Sequence, residues 1–152
     1  MTLADIVAPA AVEIATDVSS KKRALEEMAR LLAEQSNIDQ RVIFTALINR
    51  EKLGSTGLGS GVGIPHGRIP GLEQTVGAVL RLPAAIDFES VDRTGVDLLF
   101  GLIVPKDATA EHLQILAGIA SVCQDEATVS AMREADDPAA IHALLGKAGV
   151  ED

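Results

Sequence analysis

The chain has 152 residues, 47% hydrophobic and 23% charged, with a mean hydropathy of +0.25, which suits one buried core and excludes disorder over most of its length. A net charge of −9, no basic cluster longer than Lys21-Lys22-Arg23, no Trp or Tyr and only three Phe exclude a protein that tracks phosphate backbones or stacks bases. The longest apolar run, Val96 to Val104, is interrupted by Asp97 and Gly101 and is too short to span a bilayer.

The N-terminal MTLADIVAPAAVEIATD has no basic region and carries Asp5 and Glu13, so it does not read as a secretory signal. Within it, Ala11 to Ala15 reads as a short strand. Ser19 or Ser20 is placed to cap a helix in which Leu25, Met28, Ala29 and Leu32 recur at helical spacing. Asp39 caps a second helix, with Ile43, Leu47 and Arg50 roughly on one face. Its last turn, Arg50-Glu51-Lys52-Leu53, is followed by Gly54 as a terminating glycine.

A glycine-rich stretch, GSTGLGSGVGIPHG, then runs from Gly54 to Gly67. Beyond it, Thr75 to Leu82 reads as a strand and Ile86-Asp87-Phe88 as a short one. Val96 to Val104 is a near-continuous apolar run stopped by Pro105, as expected of a central strand covered on both faces. Asp87, Glu89 and Asp92 read as a solvated acidic loop. Asp107 or Thr109 caps the next helix, with Leu113, Leu116, Ala117 and Ala120 as its stripe, and shorter helices follow over Ala127 to Ala135 and Pro138 to Leu145. The order helices, strands, helices around one core predicts a single α/β domain over residues 1–152. The sole cysteine, Cys123, excludes an internal disulfide, fits a reducing cytosol and lies in an apolar helical pattern, where it reads as core packing.

The glycine stretch fails three common signatures by spacing. No Lys followed by Ser or Thr closes the run, as a phosphate-cradling P-loop requires. The alternation Gly57, Gly59, Gly61, Gly63 is not the dinucleotide pattern, and neither Ser55 nor Ser60 has a glycine two residues before it, as a nucleophile elbow needs. Three scattered histidines and one cysteine make no zinc spacing. If extended, a glycine every second residue bares one face to a close neighbour and leaves amides open to an anion.

The run ends in Ile64-Pro65-His66-Gly67. Pro65 stiffens the backbone before His66 and Gly67 leaves space after it, which presents an imidazole rather than burying it. Taken alone, His66 is equally a polar residue ending a loop. His112 weighs against that, because it falls at about the fourth position of a helix, where the positive terminus favours neutral imidazole. His142, on the last short helix with no polar partner in view, reads as surface or satisfied packing.

The segment REKLGSTGLGSGVGIPHG, Arg50 to Gly67, resembles the phosphohistidine site of type-2 enzyme IIA domains of the bacterial phosphotransferase system, the fructose–mannitol class. It resembles most closely the stand-alone nitrogen-regulatory branch. The likeness extends through SKKRALEEMARLLAEQ and VIFTALINREK upstream and through VDLLFGLIVP and EHLQILAGIA downstream, roughly Leu3 to Leu145. The implied fold is that of the mannitol-type enzyme IIA, a mixed β-sheet flanked by helices. By the same resemblance His66 carries the phosphoryl group and His112 is the supporting second histidine. Arg50 lies near the phosphoryl group, and Ser55 and Thr56 form the hydroxyl-bearing turn beside it. Arg50 as a solvated helix-end cation and Ser55-Thr56 as plain turn formers are the bland readings of the same residues.

No metal or organic cofactor is implied, since donor and acceptor are protein side chains. The expected partners are a histidine phosphocarrier of the nitrogen branch as donor and regulated target proteins in the cytoplasm, with no nucleic acid and no membrane insertion. A regulatory component is favoured over a sugar-specific one that passes phosphate to a transporter cysteine, because no transporter or carrier domain is fused to the chain. The other alternative is a binding module whose glycine cradle holds an anion or partner while His66 stays unmodified.

Overall fold

The computed structural model describes residues 3–146, without the side chains of Thr109, Glu111 and His112. A short 3-10 turn (Leu3–Asp5) leads into β1 (Val7–Ile14), then α1 (Lys21–Ser36) and α2 (Gln40–Lys52). Three short strands follow, β2 (Gly57–Gly59), β3 (Val62–Gly63) and β4 (His66–Ile69). The long strands β5 (Val76–Ile86) and β6 (Val96–Pro105) precede α3 (Thr109–Gln124), α4 (Glu126–Glu134) and α5 (Pro138–Leu145). The sheet order is β1-β5-β6-β3-β2, with β4 also paired to β6.

The sheet is mixed. β5 and β6 run antiparallel, whereas β1 lies parallel to β5, and β3 and β4 both lie parallel to β6. β6 holds the centre because VDLLFGLIV has apolar side chains for both faces and every residue from Leu98 to Val104 is buried. Its faces meet different helices. Gly101 accepts Met28 of α1, while Phe100 and Leu102 lie with Ile119 of α3 and Leu145 of α5. Helices therefore cover both sides of the sheet.

Local chemistry sets the element ends. The Ser20 hydroxyl accepts from the Arg23 amide at the start of α1, and the Asp39 carboxylate accepts from the Arg41 amide at the start of α2. β1 is longer than the predicted Ala11 to Ala15 because it is an edge strand, where Pro9 and an irregular register between Val7 and Val12 are tolerated. Ile86 completes β5 rather than opening a separate strand with Asp87 and Phe88.

Three local expectations need correction. The cap residue of α3 is Ala108, with no side-chain cap, so Asp107 and Thr109 fall on either side of it. The buried face of α3 is Ile115, Ile119 and Val122, while Leu113 is 62% exposed. That helix is apolar nearly all round, so periodicity alone picks the wrong stripe. The glycine run is not one extended strand: β2 and β3 pair antiparallel, and the chain reverses at Ser60 (φ +57°) and Gly61 (φ +85°). Two successive positive φ angles match the right-handed twist of a tight hairpin.

Candidate functional site

The glycine hairpin delivers His66 to its place. β3 pairs with β6 at Leu98 and Leu99, and β4 pairs with the same edge from Leu102 to Pro105. Between them Pro65 has no N–H to give, but its carbonyl accepts from the Leu102 amide at 3.0 Å. The Ile64 amide turns away from β6 to the Thr56 carbonyl, 3.0 Å off. This two-residue step lifts the chain at Ile64 and sets it down again at His66.

Glycine is required at particular points of this path. A Cβ on Gly67 would lie 2.8 Å from Cβ of Ala46, so α2 can sit directly on β4 only without one. A Cβ on Gly63 would lie 2.9 Å from Leu99 and 3.2 Å from Phe88, and one on Gly57 would meet the Ser90 side chain. The space opened by these glycines is thus filled by the chain's own side chains, not kept for a visiting backbone. At the hairpin tip, the Ser60 amide donates to Asp92 at 3.1 Å, and Arg133 donates to the Ser60 carbonyl at 2.7 Å while pairing with Asp97 at 3.0 Å. Asp92 is therefore a clasp on the hairpin and not merely part of a solvated loop, and hydrogen bonds from the Thr94 and Ser60 amides hold its carboxyl below the usual range.

His66 is half-buried, and Nδ1 lies 2.8 Å from the Ile64 carbonyl oxygen. A carbonyl oxygen only accepts, so the proton sits on Nδ1 and the lone pair of the neutral ring is on Nε2. Burial lowers the pKa of His66. The Ile64 carbonyl opposes this, the positive charge of Arg50 lowers it further, Glu51 raises it and Arg68 lowers it. A neutral nucleophilic imidazole is thus favoured near neutral pH.

His66 shares a surface cleft of about 500 Å³ with Ala46, Asn49, Arg50, Leu53, Gly67 and Arg68. Arg50 projects from the last turn of α2 and spends one Nη1 bond on the Gly54 carbonyl, at 2.8 Å. Arg68 lies two residues along β4 from His66, on the same side of the strand, and donates to the Lys106 carbonyl at 2.9 Å. Two guanidinium groups thus flank one imidazole in a chain of net charge −9, an arrangement suited to an anion brought to Nε2. Leu53, 84% exposed, adds an apolar lip. The sequence pattern gives neither Arg68 nor Leu53 a place in the site, although alternation along a strand from His66 points to Arg68.

Ser55 and Thr56 are engaged within the fold. The Ser55 hydroxyl donates to the Phe88 carbonyl at 2.7 Å and accepts from the Gly57 amide at 3.1 Å. The Thr56 hydroxyl donates to the buried carboxylate of Glu51, which also accepts the Thr56 amide at 3.1 Å and pairs with Lys21 at 3.0 Å. His112 occupies the fourth position of α3, and its side chain lies outside the described residues. His142 is half-buried, with Nε2 bonded to the Val7 carbonyl at 2.8 Å, so it is a packing histidine with a polar partner after all. Among the described residues no group of His, Cys, Asp or Glu could hold a metal ion, and no helix is long and apolar enough to cross a membrane.

Comparisons with known proteins agree with this fold. Residues 5–148 match the family model of the phosphoenolpyruvate-dependent sugar phosphotransferase system, EIIA 2. The chain is 45% identical over 145 residues to a nitrogen regulatory protein of Bradyrhizobium diazoefficiens, covering 95% of each. It is 40% identical over 129 residues to one of Escherichia coli, covering 83% of this chain and 78% of that one. The solved structure of nitrogen regulatory protein IIA-Ntr from Neisseria meningitidis superposes with a TM-score of 0.88 at 36% identity, covering 94% of this chain and 98% of that one. The mannitol IIA of Escherichia coli shares the fold, with a TM-score of 0.74 at 18% identity over 89% of this chain and 95% of that one. A mixed sheet between two helical layers is thus the fold of a known group, and the chain belongs to the type-2 EIIA family of the phosphoenolpyruvate-dependent phosphotransferase system.

Proposed function

We propose that His66 accepts a phosphoryl group on Nε2 from a histidine phosphocarrier of the nitrogen branch, and that the charge change at this site controls partner proteins in the bacterial cytoplasm. The observation that most supports this reading is the 2.8 Å contact of Nδ1 with the Ile64 carbonyl, which leaves the lone pair on Nε2. Family membership makes the protein a phosphotransferase component, and its likeness to nitrogen regulatory proteins favours the regulatory branch.

In the proposed step the Nε2 lone pair attacks the phosphorus of the donor phosphohistidine in line. The new N–P bond forms as the old one breaks, and the donor nitrogen recovers its electron pair. The His66 ring becomes cationic as it attacks, and the Ile64 carbonyl stabilises the Nδ1–H that carries this charge. Arg50 offers its planar fork to the phosphoryl oxygens. His112, at the fourth position of α3, supports the transferred group, as the family resemblance implies. Ser55 and Thr56 serve as hydroxyl donors only if their bonds to Phe88 and Glu51 exchange.

The test is incubation with phosphoenolpyruvate, enzyme I and the nitrogen-branch phosphocarrier, followed by intact mass before and after mild acid. One acid-labile phosphoryl group on the native chain and none on His66→Ala is the expected result. No gain in mass with an active donor would leave the protein a binding module.

A further inference from the structure

A buried ion pair stands behind His66, outside the cleft that the ring shares with Arg50 and Arg68. Glu51 is the residue after Arg50, and its side chain turns inward, 4% exposed. Its carboxylate takes Lys21 Nζ at 3.0 Å, the Thr56 amide at 3.1 Å and the Thr56 hydroxyl. Lys21, from the first turn of α1, also donates to the Phe88 carbonyl at 3.3 Å, with its ammonium 4.5 Å from the centre of the Phe88 ring. Three separate parts of the chain therefore converge on one carboxylate: the start of α1, the end of α2 and the entrance to the glycine hairpin.

From Thr56 the contacts continue to the nucleophile. The Thr56 carbonyl accepts the Ile64 amide at 3.0 Å, and the Ile64 carbonyl accepts Nδ1–H of His66 at 2.8 Å. Each link uses the two ends of one residue, so a displacement of Thr56 is passed to the Ile64 peptide and on to the ring. A buried carboxylate held by an ammonium, an amide and a hydroxyl has little freedom, and it costs stability unless the specific geometry is used. We infer that Lys21 and Glu51 are positioning residues for His66, holding the imidazole tautomer and direction through Thr56 and Ile64. This rests on His66 being the phosphoryl acceptor. It also gives Thr56 a part that needs no contact with the phosphoryl group.

The experiment compares Glu51→Ala, Glu51→Gln and the charge-neutral pair Lys21→Met with Glu51→Gln, which removes the unpaired ammonium and keeps the question testable if Glu51→Ala does not fold. Two quantities are read on each folded variant: the phosphoryl-transfer rate at saturating donor, and the ring ¹⁵N and Nδ1–H resonances of His66 by NMR. Glu51→Ala is expected to slow transfer roughly 10- to 100-fold through misplacement of the nucleophile, with loss of the protected Nδ1–H resonance. Glutamine still offers an oxygen to the Thr56 amide, so Glu51→Gln, alone or in the pair, recovers most of both. A folded Glu51→Ala protein with an unchanged ring resonance overturns the inference, whatever its rate. If the native chain takes no phosphoryl group at all, the functional reading fails, while the ring resonances still decide the positioning claim.

Discussion

Nδ1 of His66 and the carbonyl of Ile64, two residues earlier in the chain, lie 2.8 Å apart, with Pro65 between them. The ring is thus bonded to the backbone that presents it. Because Pro65 fixes its own φ and restricts Ile64, the donor and acceptor of this bond are set by the same short piece of chain. The bond leaves the lone pair of the neutral ring on Nε2, and several expectations follow from it and its surroundings.

Burial, with Arg50 and Arg68 nearby, lowers the pKa of His66 below its ordinary 6.5. The neutral ring therefore persists to a lower pH than an ordinary imidazole, and the transfer rate should begin to fall at a lower pH than an unperturbed histidine would give. The same shift acts on stability with a definite sign. In the window below 6.5 the unfolded chain binds more protons at this residue than the folded one, so stability falls as pH drops through that window. Replacing His66 with Asn should flatten this part of the stability–pH curve, measured by urea denaturation at a series of pH values. An unchanged slope would remove His66 as its source.

Gly67→Ala should destabilise the fold by about 1–3 kcal/mol, because the added methyl presses on the Ala46 Cβ and backbone and forces α2 away from β4. Urea denaturation gives the loss directly. The companion Ala46→Gly variant should relieve part of it when combined, since the clash is between these two positions. Simple addition of the two costs would show that the strain lies elsewhere.

Arg133 joins α4 to the hairpin tip through the Ser60 carbonyl and Asp97. Both side chains are partly exposed, so Arg133→Ala should cost only about 1 kcal/mol of global stability. Amide exchange at Ser60 and Gly61 should nevertheless quicken well beyond what that global loss explains, because the turn loses one of its two clasps. Equal protection in the variant would mean that Asp92 alone holds the turn.

Burial pushes the Cys123 thiol up to about 12, so almost no thiolate exists at neutral pH. Alkylation by iodoacetamide should be negligible in the native protein and rapid in denaturant. Fast native labelling would show that α3 and α4 open more than their packing indicates.

The legible part of the sequence was the part written in local chemistry. Ser20 and Asp39 cap their helices because each is a short polar side chain just before an apolar period, and β6 announces itself by being apolar on both faces. Reading failed where two patterns were compatible with the same letters. α3 is apolar around most of its circumference, so the stripe through Leu113 looked as good as the buried one through Ile115. The alternating glycines fit an extended strand as well as a hairpin, and only the pairing of Gly57 with Gly63 decides between them.

The site divides the same way. His66, Arg50, Ser55 and Thr56 stand together in a recognisable string, whereas Arg68 is neighbour to His66 only through strand geometry. Lys21 lies thirty residues before Glu51 in number, and their pairing depends on how α1 packs against the end of α2. No local pattern carries that. Nothing local marks Glu51 for burial, which comes from the Thr56 turn folding back over it and from Lys21 of α1.

The account rests on Nε2 of His66 being the atom that receives phosphorus. Phosphorylating ¹⁵N-histidine-labelled protein through enzyme I and the phosphocarrier, then recording long-range ¹H–¹⁵N NMR spectra, identifies the modified nitrogen directly. The geometry predicts a phosphorus-coupled Nε2 on His66, with Nδ1 still protonated against the Ile64 carbonyl. Phosphorus on Nδ1, or on another residue, would contradict it.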